Sequence, residues 1–236
     1  MINVAVLGAS GRMGTTVSRA IESADDLTLV DSVAQAIVAV EFTVPAATEA
    51  NVHSLIDAGV HAVVGTSGWT EDAMQRVRDH LASAPGVGVL IAPNFALSAV
   101  LSMRFAALAA PYFESVEIVE LHHPDKIDAP SGTAVHTAKG VAAARAAKGV
   151  GPSPDATTHD PDGARGAVVD GINVHAVRLR GLTAHEEVLL GNPGEQLSIR
   201  TDSFDRSSFV PGVLLGIREV ASHPGLTIGL DGYLAL

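Results

Sequence analysis

Apolar residues run along this chain in short blocks whose period switches between that of a buried strand and that of a helix. Residues 2–7 form a nearly unbroken apolar run, as expected of a strand covered on both faces, and 12–23 continue with helical spacing. Residues 27–30 and the run AIVAVEFTV at 36–44 read as two further strands. A helical stretch at 46–58 closes at Gly59, a strand at 60–64 closes at Gly65, a helix covers 70–83, and a strand at 87–91 runs into Ala92-Pro93-Asn94-Phe95. Strands alternating with helices predict an α/β fold built on a doubly wound parallel sheet. The binding loops of such a sheet gather at the carboxyl ends of its strands, here 8–13, 43–45, 65–69 and 92–95.

The pattern is interrupted once. Only residues 31–35 separate the strands at 27–30 and 36–44, whereas a parallel crossover takes about a dozen residues or more. There is room for one helical turn at Ser32–Gln35, so either the second βαβ unit is truncated or its strands are not parallel neighbours. Beyond residue 95 the periods change again. An Ala- and Leu-rich helix is expected at 96–110, a strand at 116–121 and a helix at 133–147 ending at Gly149. That helix carries Ala134, Ala138, Val141, Ala142 and Arg145 on one stripe, with Arg145 and Lys148 near its negative end. Residues 150–171 read as a long loop, and 174–180, 186–191, 195–201 and 226–230 as strands. The expected organisation is a first domain of 1–95 and 206–236 and a second α/β domain of 96–205.

The first turn carries candidate chemistry. Gly8, Gly11 and Gly14 stand in GxxGxxG spacing between a strand and a helix, the context of a dinucleotide-binding loop. Gly8 would permit the turn, Gly11 would let a diphosphate approach the backbone, and Gly14 would let the helix pack closely. Ala9, Ser10, Arg12 and Met13 complete the loop, and Arg12 could reach a phosphate. A tight turn without a ligand is the plainer alternative. Asp31 follows the second strand, where an acidic residue would hold a ribose hydroxyl or would simply end the strand. Gly65, Thr66 and Ser67 stand where a nicotinamide ribose would lie.

Composition narrows the partners. The formal charge is −11, with only 15 Lys and Arg scattered along 236 residues, which argues against nucleic acid and anionic membranes. No cysteine is present, so thiolate catalysis, disulfides and sulfur-based metal sites are excluded. His53, His61, His80, His136, His159 and His223 are dispersed and no HExxH occurs, so no metal site is expected. The N-terminal run lacks a basic leader and no apolar stretch approaches about 20 residues, so the expectation is a soluble, cytoplasmic protein.

Against this acidic background, residues 120–134, ELHHPDKIDAPSGTA, concentrate His122, His123, Lys126 and a Ser131-Gly132-Thr133 helix start. Imidazoles exchange protons near neutral pH, an ammonium donates one or pairs with a carboxylate, and a helix start receives an anion. This is a place for a small anionic ligand.

These motifs resemble those of the dihydrodipicolinate reductase family: VLGASGRMG at 6–14, VGTSGWT at 64–70, APNF at 92–95 and, most specifically, ELHHPDKIDAPSGTA at 120–134. Weaker similarity continues through VRLRGLTAHEEV, GEQLSI and DRSSFVPGVLLGI, nearly to the end of the chain. The resemblance implies a Rossmann-like nucleotide domain and a substrate domain whose sheets associate into a homotetramer. It further implies hydride transfer from NADPH or NADH to a dihydrodipicolinate-type cyclic dicarboxylate in diaminopimelate and lysine biosynthesis. On this resemblance His122 is the acid or base, Lys126 supplies a proton, and His123, Ser131, Gly132 and Thr133 hold substrate carboxylate. The cofactor residues would be 8–13, Asp31, 65–67 and Ala92, Pro93, Asn94 and Phe95. Two departures stand out: the segment before Glu41-Phe42-Thr43 is shortened, and Thr201 replaces a histidine common in the late strand. The first leaves a second reading open, a family member that binds dicarboxylate with weak or lost nucleotide binding and turnover. Asp31 favours a bare ribose and Arg12 a phosphate, so NADH and NADPH both stay open.

Overall fold

The computed structural model describes residues 1–234. In chain order the elements are β1 (Ile2–Leu7), α1 (Arg12–Glu22), β2 (Leu27–Leu29), β3 (Val38–Glu41), α2 (Pro45–Asp57), β4 (His61–Val64), α3 (Glu71–Leu81) and β5 (Gly88–Ile91). There follow α4 (Leu97–Ala109), β6 (Ser115–His122), α5 (Gly132–Ala147), β7 (Ala167–Val169), β8 (Ile172–Arg178), β9 (Ala184–Asn192), β10 (Glu195–Ser203), α6 (Val210–Glu219) and β11 (Gly225–Ile228). They form two compact units, one of Met1–Leu97 with the described residues from Arg206 onward, the other of Ser98–Asp205.

The first unit holds a six-stranded parallel sheet in the order β11-β5-β4-β3-β1-β2. Its central strands are buried on both faces, which is why they read as apolar runs rather than as alternation. Ala39, Ala62, Val64, Val89 and Ile91 meet Val52, Leu55 and Ile56 of α2 and Val77 and Leu81 of α3. On the opposite face Gly216 of α6 packs against Leu90 and Val63, and α6 lies beside α1, where Arg218 pairs with Asp26 at 2.8 Å. Helices on both faces make this a Rossmann-like, doubly wound sheet.

The short interval after β2 has a geometric solution. β2 ends with Leu29 opposite Val4, and β3 begins with Val38 opposite the same Val4 on the other edge of β1. Residues 30–37 therefore step sideways over one strand, roughly 10 Å at the usual strand spacing, instead of running back along the sheet. They are pinned to β1 by Val30 N to Val4 O (2.9 Å), Ile37 N to Asn3 O (2.9 Å) and Asn3 Nδ2 to Gln35 O (3.1 Å). A 3₁₀ turn at Val33–Gln35, capped by the Ser32 hydroxyl, is all the helix the crossing contains. The second βαβ unit is thus truncated, and its strands are separated by β1.

The second unit holds a five-stranded sheet in the order β10-β9-β6-β8-β7, in which β6 and β8 pair parallel and the other neighbours pair antiparallel. Alternation along β6 sends Val116, Ile118 and Glu120 to one face. There Ile118, Val174, Val188 and Leu190 pack against Ala134, Ala138 and Val141 of α5. Two expectations are corrected. The predicted 150–171 loop contains β7, because Asp170 and Gly171, both at positive φ, form a two-residue hairpin turn into β8. Arg145 does not serve the end of its own helix alone. It is buried and donates to the carbonyls of Ala110 (3.3 Å), Phe113 (2.6 Å), Glu114 (2.9 Å) and Gly151 (2.9 Å), tying α5 to the end of α4.

Candidate active site

Because the first sheet is parallel, the loops after β1, β3, β4 and β5 emerge at one edge, and Phe42 joins them. A methyl group on Gly8, whose φ is +81°, would overlap the Phe42 carbonyl oxygen, and one on Gly65 would overlap the Phe42 ring. The ring also lies 5.9 Å from that of Phe95. Gly8 and Gly65 are therefore small because of Phe42. Gly14 allows α1 to close on the Gly8 carbonyl, whereas a side chain on Gly11 would stand 3.2 Å from that oxygen, near the limit of tolerance. Gly11 caps α1 without a side-chain hydrogen bond, and the first turn carries no acidic residue. Its positive end is left for an anion.

The other cofactor candidates divide by burial. Ala9, Ser10, Arg12, Asp31, Ser67 and Pro93 are exposed at this edge, while Met13 and Asn94 are half-buried. Asn94 turns the loop by accepting from Ala96 N at 2.9 Å. Thr66, Ala92 and Phe95 are buried. The Thr66 hydroxyl accepts from Thr43 N at 2.9 Å and Ala92 N donates to Val64 O at 3.0 Å, so these residues shape the loops. Beneath them Glu41 is fully buried and accepts from Thr43, from Thr48 Oγ1 (2.7 Å) and from Asn51 Nδ2 (3.1 Å).

In the second unit the histidine run forms a site around one residue that the sequence reading quoted without giving it a role. Glu120 is 0% exposed. Its carboxylate meets His122 Nδ1 at 2.5 Å and accepts both guanidinium nitrogens of Arg178 at 2.7 Å and the Ser131 amide at 3.0 Å. Period two along β6 brings Glu120 and His122 to the same face, and parallel pairing sets Arg178 beside His122. Burial pushes the Glu120 carboxyl up, but the Arg178 and His122 hydrogen bonds outweigh it and hold the group below the usual carboxylate range. Burial lowers the His122 imidazole; Glu120 opposes this, and the charges of Lys126 and Arg178 reinforce it. A neutral imidazole with Nδ1 engaged by Glu120 has Nε2 left for proton exchange.

Lys126 lies close enough to His122 for its charge to be felt, and its ammonium donates to Asp128 Oδ1 at 2.7 Å. Arg178 also holds the carbonyl of Asp128 at 2.7 Å, fixing this loop to the strand. Ser131 is buried; its hydroxyl accepts from Ala134 N at 3.1 Å and its amide is taken by Glu120, so it shapes the start of α5. Gly132 is exposed, with open space where a side chain would stand, and Thr133 is half-buried beside it. His123 is exposed past the strand end. The sequence signal for Glu120 was a carboxylate on an inward apolar stripe; Arg178 gave none, lying 58 residues away.

The family model for the C-terminus of dihydrodipicolinate reductase matches residues 98–234, and that for the N-terminus matches 2–37 and 31–95. The chain belongs to the dihydrodipicolinate reductase family. The two N-terminal matches overlap at residues 31–37, on the short crossing. The 4-hydroxy-tetrahydrodipicolinate reductase of Beutenbergia cavernae is 65% identical over 245 residues, covering 100% of this chain and 99% of the relative. That of Corynebacterium urealyticum is 54% identical, covering 100% of both chains. The solved dipicolinate-bound dihydrodipicolinate reductase of Paenisporosarcina sp. TG-14 superposes with a TM-score of 0.89 at 32% identity, covering 99% of this chain and 100% of that one.

Proposed function

We infer that this chain is a 4-hydroxy-tetrahydrodipicolinate reductase, an NADPH- or NADH-dependent oxidoreductase of diaminopimelate and lysine biosynthesis. The observation that carries the reading is full-length identity of 65% to a protein of that name. When bound, the reduced nicotinamide supplies the hydride. The residues present fit such a group: the first turn of α1 offers amides without a side-chain cap, and Gly11 leaves the approach to them clear. Arg12 and Asp31 flank it as candidate phosphate and ribose partners. The 65–67 and 92–95 loops wall the edge, Thr66, Ala92 and Phe95 by packing.

In the second unit we assign proton exchange to His122 and Lys126. Reduction of a conjugated cyclic imine leaves negative charge on the ring, which a nearby ammonium can quench. Glu120 fixes His122 through Nδ1, and Asp128 steadies Lys126. Gly132 and Thr133 open α5, whose amides, with His123, would take a ring carboxylate, while Ser131 holds the turn. The substrate is therefore a small dicarboxylate, in keeping with the dipicolinate held by the Paenisporosarcina protein.

Among the described residues no helix is long and apolar enough to cross a membrane. A cysteine-free reductase drawing on nicotinamide fits the cytoplasm. We further assign a homotetramer, supported by the sheet face opposite α5, where Val119, Leu121, Val177 and Leu189 are only partly covered.

The test is oxidation of NADPH and of NADH followed optically with freshly generated 4-hydroxy-tetrahydrodipicolinate. Turnover with at least one nucleotide is expected. No turnover with either, from folded protein, would reject the assignment.

A further inference from the structure

Glu186 is a second buried carboxyl in the substrate unit, and nothing in the assignment above uses it. It stands on β9 directly opposite Glu120 of β6, so the two side chains share the face beneath α5 at ordinary cross-strand distance. It is 4% exposed, accepts from Thr137 Oγ1 at 2.7 Å through Oε1, and its Oε2 is buried without a partner. The same Thr137 hydroxyl lies 3.0 Å from the carbonyl of Thr133, in the first turn of α5.

Among the described residues, the strands beside Glu186 set one charged cluster facing it. On β6 it faces Glu120, which carries His122 and Arg178; on β10 it faces Thr201, whose hydroxyl bonds Ser98 at 2.7 Å. Arg200 and Asp202 alternate to the other face of β10, as His185 and Glu187 do on β9. From α5 it faces Thr137, among Ala134, Ala138 and Val141. Of these two facing carboxyls only Glu120 has an arginine partner. Glu120 takes both nitrogens of Arg178, while Glu186 has the Thr137 hydroxyl alone.

We propose that Glu186 is a positioning residue for the reduction, setting the charge balance of His122 through Glu120 and seating the first turn of α5 through Thr137. The proposal rests on the reading of His122 as the group that exchanges protons. Burial pushes the Glu186 carboxyl up to about 7, the Thr137 hydrogen bond partly offsets this, and the Glu120 charge adds to the rise. Below that pH Glu120 is the one carboxylate bonded to both His122 and Arg178, with Asp128 acting on Arg178 from the loop. Above it a second negative charge arrives, favours the imidazolium and stretches the His122 titration upward.

The experiment compares the wild-type chain with Glu186→Gln and Thr137→Val. His122 is titrated by NMR of imidazole-labelled protein, and kcat/KM is measured across pH. Glutamine keeps an acceptor for Thr137, so fold and helix start survive while the titrating proton is gone. The His122 titration should move down by about half a pH unit or more in Glu186→Gln, and the rate profile should follow it. In Thr137→Val a smaller downward shift is expected, because Glu186 without its donor keeps its proton to higher pH. A His122 titration superimposable on that of the wild type in both variants overturns the proposal. A shifted titration with an unmoved rate profile supports the coupling and overturns instead the role given to His122.

Discussion

The residue on which the candidate site turns is Glu120, because it joins three groups, one of them 58 residues away, in a buried place. A carboxylate taken out of water is costly unless its lone pairs are met, and here Arg178, His122 and the Ser131 amide meet them. Removing the Arg178 partner would leave a buried unpaired charge, at a cost of about 3–5 kcal/mol. Lys126 is different: its side chain is 22% exposed and its partner Asp128 is more exposed still. Lys126→Ala should therefore leave the melting temperature nearly unchanged while lowering kcat about 100-fold or more, as loss of a positioned proton donor does. Steady-state kinetics beside a thermal melt would check it, and wild-type turnover would remove the lysine from the chemistry. His122, Lys126, Gly132 and Thr133 were legible in the sequence because they lie within twelve positions of one another. Arg178 and Glu186 were not, since only strand pairing brings β8 and β9 beside β6.

At the scale of elements, period and turn chemistry read most of the strands and helices. The exceptions have physical causes. β7 is short and exposed on one side, so the Gly- and Asp-rich stretch around it masked a hairpin that Asp170-Gly171 announces. Arg145 sits on the apolar stripe of α5, and what its burial meant depended on four carbonyls from other segments. The short crossing looked like a defect because loop length alone does not say at what level a strand ends. With β2 only three residues long and finishing where β3 starts, the sheet keeps its parallel order, and nothing in it favours lost nucleotide binding. The partly covered face of the five-stranded sheet belongs to this scale too. Light scattering at assay concentration should give about four times the 24.2 kDa chain mass; a monomer mass would reject the tetramer.

For the whole molecule, a net charge of −11 would repel an anionic substrate and a dinucleotide alike. Each unit answers with local positive ends: the uncapped start of α1 in one, and Lys126, Arg178 and the start of α5 in the other. The division of labour follows from the sheets. A parallel sheet collects loops at one edge and suits an extended cofactor, whereas a mixed sheet beneath the start of α5 sets a few side chains around a small acid. The most direct test of this account is a crystal structure of the chain with NADPH and pyridine-2,6-dicarboxylate. The account expects the diphosphate over residues 8–13 and a carboxylate against Gly132 and Thr133, within reach of His122 and Lys126. A dicarboxylate bound away from that loop, or a nucleotide bound away from the start of α1, would contradict it.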